Sequence, residues 1–379
     1  MAAPHPVAHP ASVATLVAHA RQEPALEALL RREIADRGVA ETAAIAWARG
    51  AAEGEGMRVA WGEIAPGGQC GPLVFDLASV TKPLTATVIV KAIAERRLSW
   101  TTRVADVLTE LEGTPAADAS IDELLAHRAG LPAWGVLYRD DPWALASPSS
   151  VPPLGPLVLS DMLARAASRR GAAGGEIYSD IGYVLLGEMA ARATGRPLAL
   201  GWAELGCADA RTRLAVEPSV IERMPPTERI DWRGEVRGEV HDENAAMLER
   251  AGGSPGHAGA FGTALDVVGF AARFLGSLNE GPGESLLPAA LAQAMIEPLA
   301  GGTHSRGWDL RSGASPSSGR HFGPRTFGHL GFTGTSVWID PDASAVAVLL
   351  TNRTWPTRDN VGIRGARPRV HDALWEIEP

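Results

Sequence analysis

Ser79 and Lys82 have the residue types and the spacing of a nucleophile and its helper. The apolar run at 84–90 predicts a buried helix that starts near Ser79, which puts positions 79 and 82 on one helix face. A serine hydroxyl is a weak nucleophile and needs a neighbouring base. Lysine can be that base where burial disfavours its charged form and so lowers its pKa. A helix start also leaves the amide of Ser79 free to bind an oxyanion.

Lysine is scarce in this chain, which draws attention to Lys82. Of the 35 basic residues only Lys82 and Lys91 are lysines, and the rest are arginines. Arginine stays protonated at any working pH, whereas the pKa of a buried lysine can be tuned. Lys91 belongs to no second motif, and we interpret it as a surface cation without a role in chemistry.

The predicted helix at 181–194 is directly preceded by Tyr178, Ser179 and Asp180. A phenol beside a lysine cation would have a lowered pKa and could carry the proton of a serine. The alternative is structural: Tyr178 packs at a helix start, and Ser179 or Asp180 is the N-cap. The residues alone leave both interpretations open.

His329 begins a segment in which a predicted strand runs into two glycines, Gly331 and Gly334. Glycines at the end of a strand let a substrate lie against the backbone, where it can receive the N–H of Phe332. A histidine read by itself is more often structural than catalytic. We therefore infer a functional role for this segment only in combination with the Ser79 and Tyr178 motifs.

The three segments resemble, in order and spacing, the serine β-lactamase/penicillin-binding-protein-like superfamily. The similarity is strongest to its branch of class C β-lactamases and family VIII esterases. That branch has Ser-x-x-Lys, then Tyr-x-Asn or Tyr-Ser-x, then Lys-Thr-Gly or His-x-Gly. The resemblance covers roughly 40–379, and further segments of this chain are similar to the same branch: 75–78, 124–132, 238–245, 256–259 and 349–353 with Pro356.

The resemblance implies an acyl-enzyme mechanism. Ser79 would attack an acyl carbonyl, and the amides of Ser79 and Phe332 would hold the oxyanion. Lys82 and Tyr178 would manage the proton, and either of them could be the general base. Water would then hydrolyse the acyl-enzyme.

The substrate-facing positions depart from the pattern of the branch. Asp180 stands where many relatives have Asn, and a carboxylate aimed at Lys82 would keep that lysine protonated. His329 and Leu330 replace Lys-Thr, and a neutral imidazole with a leucine binds a substrate carboxylate poorly. We therefore expect Asp180, His329 and Gly331 to contact substrate, and uncharged esters or amides to be favoured over β-lactams.

The strand and helix patterns predict an α+β fold. An antiparallel sheet built from both chain termini is flanked by helices, and a mainly helical lobe is inserted. We expect a sheet lobe of residues 1–100 and 262–379, a helical lobe of residues 101–261, and an active site between them. The predicted strands are 43–48, 57–62, 326–330, 335–339 and 345–350. The predicted helices are 26–34, 79–97, 121–127, 158–170, 181–194, 264–275 and 367–376.

Other chemistries fit the sequence less well. Ser254 lies in a Gly-x-Ser-x-Gly run, but a helical run precedes it where a nucleophile elbow needs a strand. His241, Asp242 and His257 lack the spacing of a metal site, so we interpret them as hydrogen-bonded loop and helix-start residues. The sequence predicts no cofactor and no metal.

The bulk composition limits the partners. A formal net charge of -9 and a pI near 5.6 disfavour nucleic acid and anionic membranes, so a small-molecule substrate is expected. Two cysteines are too few for a disulfide framework, and the start of the sequence lacks the pattern of a signal peptide, so we expect a cytoplasmic protein. The oligomeric state is not indicated.

Three hypotheses follow. The first is a metal-independent esterase or amidase that forms an acyl-enzyme at Ser79. The second is a peptidase or β-lactamase that acts on D-amino-acid or β-lactam bonds. The third is an inactive relative that binds or scaffolds, because function is argued from the site and not from the fold.

Overall fold

A mostly antiparallel sheet of seven strands organises the molecule. The computed structural model describes residues 19–50, 57–67, 71–138, 155–231, 233–278 and 285–379. In these residues the strands are β1 Arg21–Gln22, β2 Ala43–Gly50, β3 Met57–Ile64, β4 Phe75–Asp76, β5 Ala208–Asp209, β6 Glu228–Ile230, β7 Gly234–Val236, β8 Ala260–Gly262, β9 Asp309–Leu310, β10 Phe327–Leu330, β11 Ser336–Asp340 and β12 Ala345–Thr351. The order in the large sheet is β1-β3-β2-β12-β11-β10-β9.

Helices cover both faces of this sheet and fill the middle of the chain. They are α1 Pro24–Leu30, α2 Thr81–Ala94, α3 Val104–Val107, α4 Ile121–Leu125, α5 Pro156–Ala166, α6 Asp180–Thr194, α7 Leu198–Glu204, α8 Ala210–Val216, α9 Glu243–Arg250, α10 Ala264–Ser277, α11 Ala289–Ile296 and α12 Ile363–Leu374. Short 3₁₀ turns lie at Ala78–Val80, Thr109–Leu111 and Pro218–Arg223, and α1 continues as a π turn, Arg31–Ala35. In this described part of the chain, no helix has the length and apolar character needed to cross a membrane.

Strand β12 shows why the sheet is buried on both faces. Its sequence is apolar at every position before the last, without the polar alternation of a strand that has one solvated face. Successive side chains point to opposite faces, so one set joins each of two cores. Val346, Val348 and Leu350 pack in the core that contains α2 and α10, and Ala345, Ala347 and Leu349 pack in the core that contains α1 and α12.

A second, three-stranded sheet, β4-β8-β5, lies beside the large one. Strand β4 pairs antiparallel with β8, with Phe75 opposite Gly262 and Asp76 opposite Phe261. This pairing fixes the chain two residues before Ala78–Val80, the turn that contains Ser79. The small sheet therefore positions the start of α2.

The predicted α+β class, with a mainly antiparallel sheet flanked by helices, is confirmed. The predicted strand pair 43–48 and 57–62 is present as β2 and β3, in register from Ala43↔Ile64 to Gly50↔Met57. The Gly-rich turn between them, at 51–56, lies outside the described residues. The division into lobes 1–100 with 262–379 and 101–261 stays a prediction.

The last helix begins earlier than predicted. We expected it over 367–376, and it spans Ile363–Leu374 instead. Proline removes one backbone donor, yet here it lies in the second turn of the helix. Burial of Ile363, Ala366 and Val370 against the sheet pays for that lost hydrogen bond.

Candidate active site

Asp76 shapes the turn that presents Ser79. Its Oδ1 accepts the amide of Ala78 at 2.8 Å and its Oδ2 accepts the amide of His241 at 2.7 Å. Ala78 has a φ of 47°, a left-handed conformation that is uncommon for a residue with a Cβ. Burial raises the pKa of the Asp76 carboxyl, although both amides oppose the rise. The buried carboxyl thus holds a strained turn directly before Ser79.

The ammonium of Lys82 makes two hydrogen bonds and one ion pair inside the protein. Its Nζ lies 2.9 Å from Oγ of Ser79, 3.1 Å from the carbonyl oxygen of His257 and 2.6 Å from Oδ1 of Asp180. The side chain is fully buried, with 0% exposure. Burial lowers its pKa, but the charge of Asp180, followed by Tyr178, outweighs this and raises the pKa above its ordinary value. Lys82 is therefore a fixed cation, as the Asp180 position led us to expect.

Tyr178 lies over this cation, and its phenol keeps its proton. The Nζ of Lys82 is 4.9 Å from the centre of the Tyr178 ring. Burial raises the pKa of the phenol to about 12, and the lowering effect of Lys82 does not offset it. The expected lowering of this pKa is therefore wrong, because the loss of water outweighs the nearby charge.

The backbone around Tyr178 is held by Ser179 and His127. Oγ of Ser179 accepts the amide of Gly182 and donates to the carbonyl of Pro132, so Ser179 is the N-cap of α6. Nδ1 of His127 accepts the amide of Ser179 at 3.0 Å, and its ring lies 4.6 Å from that of Tyr178. The capping interpretation is thus right for Ser179, while Tyr178 still faces the site.

The loop after β10 is tied to the Ser79 segment by two threonines. Oγ1 of Thr333 donates to the carbonyl of Asp76, and Oγ1 of Thr335 donates to the carbonyl of Leu77. A Cβ on Gly331 would lie 1.9 Å from Oγ1 of Thr335 and 2.6 Å from the carbonyl oxygen of Leu77. Only glycine permits this close approach of the two segments.

Phe332 follows in the same loop and is fixed from its carbonyl side. Nε of Arg353 donates to that carbonyl at 2.7 Å, and its guanidinium lies 4.4 Å from the centre of the Phe332 ring. Among the described residues, no hydrogen bond takes up the amide of Phe332 or the amide of Ser79. Two free amides on one cavity are what an oxyanion site requires.

His329 faces the same cavity from β10 without a charge of its own. Its Nδ1 donates to the carbonyl of Leu330 at 2.9 Å, and its Nε2 lies 3.7 Å from Oδ1 of Asp309. Burial lowers the pKa of His329, and Asp309 only partly opposes this. The third motif therefore presents an uncharged imidazole.

A cavity of about 660 Å³ joins these groups. It brings together all but one of the side chains or backbone positions that the sequence predicted for the site: Ser79, Tyr178, Asp180, His329, Gly331 and Phe332. Lys82 lies behind Ser79 and does not line the cavity. Trp134 also lines the cavity, and residues 139–154, which follow in the same connection, lie outside the described residues.

Several lining residues were not predicted from the sequence. Trp134 and Val361 form an apolar rim together with the ring of the predicted Phe332, and each of the three is about half exposed. Arginines line the side formed by the chain end: Arg353, Arg358, Arg364 and Arg367. Arg353 ends the segment 349–353 that resembles the branch, whereas the other three come from a loop and a helix that no motif marks. Arginine is too abundant in this chain to single them out.

The histidines that sequence reasoning set aside do have structural partners. Asp242 caps α9 by accepting the amide of Ala245, and Nε2 of His257 is 2.8 Å from Oδ1 of Asp242. Nε2 of His241 lies 2.8 Å from Oε2 of Glu228. In the described residues, no group of three or more such side chains has the geometry to hold a metal ion.

The serine at 254 has no nucleophile elbow around it. Helix α9 precedes it, as expected, and the loop packs so tightly that a Cβ on Gly256 would lie 2.2 Å from the carbonyl oxygen of Tyr183. A nucleophile elbow needs a strand before the serine and a helix after it. The Ser254 loop is a packing contact with α6.

Comparison with known proteins gives the family. The family model described as Beta-lactamase matches residues 71–369, and the chain belongs to this family. Over 315 residues the chain is 26% identical to the Escherichia coli (strain K12) protein named "Putative D-alanyl-D-alanine carboxypeptidase", covering 74% of this chain and 69% of that protein. The predicted relationship to the β-lactamase and penicillin-binding-protein superfamily is therefore confirmed.

Solved structures share the fold. A penicillin-binding protein homolog from Caulobacter crescentus aligns with a TM-score of 0.65 at 20% identity, over 93% of this chain and 96% of that chain. A class C β-lactamase from Rhodobacter sphaeroides aligns with a TM-score of 0.65 at 17% identity, over 94% and 100%. At these identities the likeness concerns the fold alone.

Proposed function

We propose that the protein is a serine hydrolase that forms an acyl-enzyme at Ser79 and cleaves carboxylic esters or amides of small molecules. The observation that carries this proposal is the contact between Nζ of Lys82 and Oγ of Ser79, 2.9 Å long, at the edge of a cavity. A nucleophile held by an oriented partner and facing a cavity is the arrangement that acyl transfer needs. The amides of Ser79 and Phe332 would bind the oxyanion.

Tyr178 is the proposed proton carrier. Lys82 is a fixed cation, and the phenol keeps its proton at neutral pH. Neither group is therefore a free base at rest. Oη of Tyr178 would accept the proton of Ser79 as it gives its own proton to the leaving group, so no resting base is required. Lys82 would stabilise the negative charge that develops on the phenol oxygen and on Ser79 during this exchange.

The proposed preference for uncharged substrates comes from two features of the cavity. His329 is neutral and is followed by Leu330, so this wall offers no cation and hydroxyl pair for a substrate carboxylate. The apolar rim of Trp134, Phe332 and Val361 provides contact area for an apolar acyl or alcohol group. Esters and amides without charge fit both features.

A second candidate function is hydrolysis of a substrate with a carboxylate, as in a D-amino-acid peptidase or a β-lactamase. The observation that favours it is the group of Arg353, Arg364 and Arg367 that lines the same cavity. No carboxylate of the described residues forms an ion pair with these three arginines. The name of the Escherichia coli relative agrees with this candidate.

Active-site labelling tests the first proposal. A fluorophosphonate probe should label the wild-type protein and a Ser168→Ala control, in which the exposed serine at the end of α5 is removed, but not Ser79→Ala. Labelling of Ser79→Ala would show that another residue is the nucleophile and would contradict the acyl-enzyme proposal at Ser79. Absence of labelling in every variant would favour a binding or scaffold role.

A substrate panel then separates the two candidates. Nitrophenyl esters should be cleaved with a higher kcat/KM than nitrocefin or a peptide ending in D-Ala-D-Ala, and Ser79→Ala should cleave none of them. The reverse order would favour the second candidate.

A further inference from the structure

The loop after β10 carries one of the two proposed oxyanion donors, the amide of Phe332. This loop closes on itself through its backbone. The amide of Gly331 donates to the carbonyl of Thr335 at 2.7 Å, and the amide of Gly334 donates to the carbonyl of Gly331 at 3.1 Å. Both carbonyls therefore already have a backbone partner, and the loop needs no side chain to complete these bonds.

Arg367 of α12 nevertheless places a cation on both carbonyls. Its Nη2 donates to the carbonyl of Gly331 at 2.7 Å and to that of Thr335 at 2.8 Å. The side chain is only 7% exposed, and within the described part of the chain no carboxylate forms an ion pair with it and its Nε has no hydrogen-bond partner. Burial lowers the pKa of Arg367 to about 10, so the group is still charged at neutral pH. A buried cation without a counter-ion destabilises the fold, so packing alone does not explain an arginine here.

The carbonyl of Gly331 and the amide of Phe332 belong to one peptide group. This peptide is trans, so its C=O and N–H point in opposite directions, and the N–H points away from the guanidinium. A hydrogen bond to the carbonyl draws electron density from the amide nitrogen and makes the N–H a stronger donor. An oxyanion bound by this amide would thus end a chain that begins at the guanidinium of Arg367.

The other proposed oxyanion donor has no cation behind it. The amide of Ser79 shares its peptide group with the carbonyl of Ala78, and that carbonyl accepts the neutral backbone amide of Thr81. The two donors therefore differ in strength, although both face the same cavity.

Arg353 holds the same loop but acts on a different peptide group. Its Nε donates to the carbonyl of Phe332, which shares a peptide group with the amide of Thr333. That contact fixes the position of the loop without polarising the amide of Phe332.

We propose that Arg367 is a positioning residue of the oxyanion site, which holds and polarises the peptide group whose N–H, that of Phe332, binds the developing negative charge. The inference rests on the proposed hydrolase function and adds a residue to its machinery. Polarisation of a donor matters most when the acceptor carries a full charge. Its effect therefore falls on the transition state and hardly on bound substrate.

Arg367→Met tests the proposal with a neutral nitrophenyl ester, which has no carboxylate for the arginines of the cavity to bind. We expect kcat to fall about 10-fold, less than the about 10²-fold of a lost oxyanion donor, and KM to change less than about 2-fold. Affinity for phenylboronic acid, whose adduct with Ser79 carries a negative charge, should fall by a similar factor. Arg369→Met is the control on the same helix, since Arg369 pairs with Glu33 away from the cavity, and it should change neither quantity.

Two further variants separate charge from hydrogen bonding and from misfolding. Arg367→Lys keeps a cation, and Arg367→Gln keeps only a neutral donor, so kcat should rank Lys above Gln even if Arg367→Met does not fold. Equal kcat values for these two variants, or a rise in KM at unchanged kcat, overturn the proposal.

The NMR signal of the Phe332 amide gives a readout that needs no turnover. In Arg367→Gln its nitrogen and proton should both shift upfield, because the N–H is less polarised, while the amide of Ser79 keeps its shifts. An unshifted Phe332 amide overturns the proposal. Wild-type protein that neither cleaves the ester nor binds the boronic acid overturns the proposed hydrolase function instead, and the amide shift still decides whether Arg367 polarises the peptide.

Discussion

The two walls of the cavity differ in how their cations are paired with carboxylates. On the wall that holds Ser79, the buried ammonium of Lys82 lies 2.6 Å from Oδ1 of Asp180. On the wall formed by the chain end, Arg358 pairs with Glu228 and Glu243, whereas the exposed Arg364 has no carboxylate partner among the described residues. Pairing fixes the protonation of a group before substrate arrives, whereas an unpaired cation is left for substrate to neutralise. The Lys82–Asp180 pair therefore suits catalysis, and the unpaired Arg364 suits recognition of a negatively charged substrate group.

Lys82→Met should have the largest effect, because it removes the cation that pairs with Asp180 beside Ser79. Turnover should fall about 10³-fold, since the oxyanion site and Tyr178 lose their neighbouring cation. The free energy of unfolding should fall by about 3 kcal/mol, because Asp180 is left largely buried without its partner. Kinetics and denaturant unfolding measure the two effects. Lys82→Met/Asp180→Asn should regain most of the stability but no activity, and regained activity would refute the role of the cation.

Gly331→Ala should come next, because it pushes the loop after β10 away from the Ser79 segment. A Cβ there meets Oγ1 of Thr335 and the carbonyl of Leu77, so the Phe332 amide must move. Loss of one oxyanion donor corresponds to about 10²-fold in kcat. Gly276→Ala is the matched control, because a Cβ there meets nothing within 4 Å and the helix gains an alanine. Equal effects of the two variants on kcat would show that the close approach is unimportant.

Glu228→Gln tests how much the folded state depends on the ion pair between Glu228 and Arg358, one of the arginines that line the cavity. Burial opposes its charge, but His241 and Arg358 outweigh this and lower its pKa to about 2. A depressed carboxyl pKa stabilises the folded state above the unfolded pKa, and the stabilisation is lost as pH falls toward 2. Glu228→Gln should therefore lower the free energy of unfolding by about 2 kcal/mol at pH 7 and by much less near pH 2.5. Glu235→Gln, which removes an exposed carboxylate nearby, should change little at either pH.

Arg364→Gln should have the smallest effect and the most selective one. For substrates with a carboxylate, KM should rise about 5-fold, because an exposed charge pair contributes about 1 kcal/mol. For neutral esters, KM should stay unchanged. Arg369→Gln is the control on the same helix, since Arg369 pairs with Glu33 away from the cavity. If KM rises equally for both substrate types, Arg364 does not recognise the substrate carboxylate.

The sequence predicted the parts of the site that are local in the chain. Ser79 and Lys82 share one turn of backbone, and Tyr178 with Asp180 stands at a helix start, so spacing alone specifies their relation. The apolar runs that became β2 and β12 were equally clear, because a doubly covered strand has no polar alternation. These features carry their structural context with them.

Other features depend on contacts that only the folded chain creates. His304 and Asp309 meet His329 because β9 pairs with β10, with Asp309 opposite Gly328. A two-residue strand has no sequence pattern that could reveal this pairing. The pKa of Tyr178 was predicted in the wrong direction because spacing reports its charged neighbours but not the loss of water. Burial is a property of the whole fold.

The pairing of the first and last long strands also constrains how the protein is made. Thr42 and Asn352, 310 positions apart, are joined by a hydrogen bond beside the β2–β12 ladder. Strand β2 is therefore synthesised long before β12, and the edge that pairs with β12 stays unpaired while the intervening helices are synthesised. Such late, distant pairing slows folding and leaves an edge open to aggregation. We expect expression in soluble form to depend on chaperones, more strongly than the activity of the finished protein does.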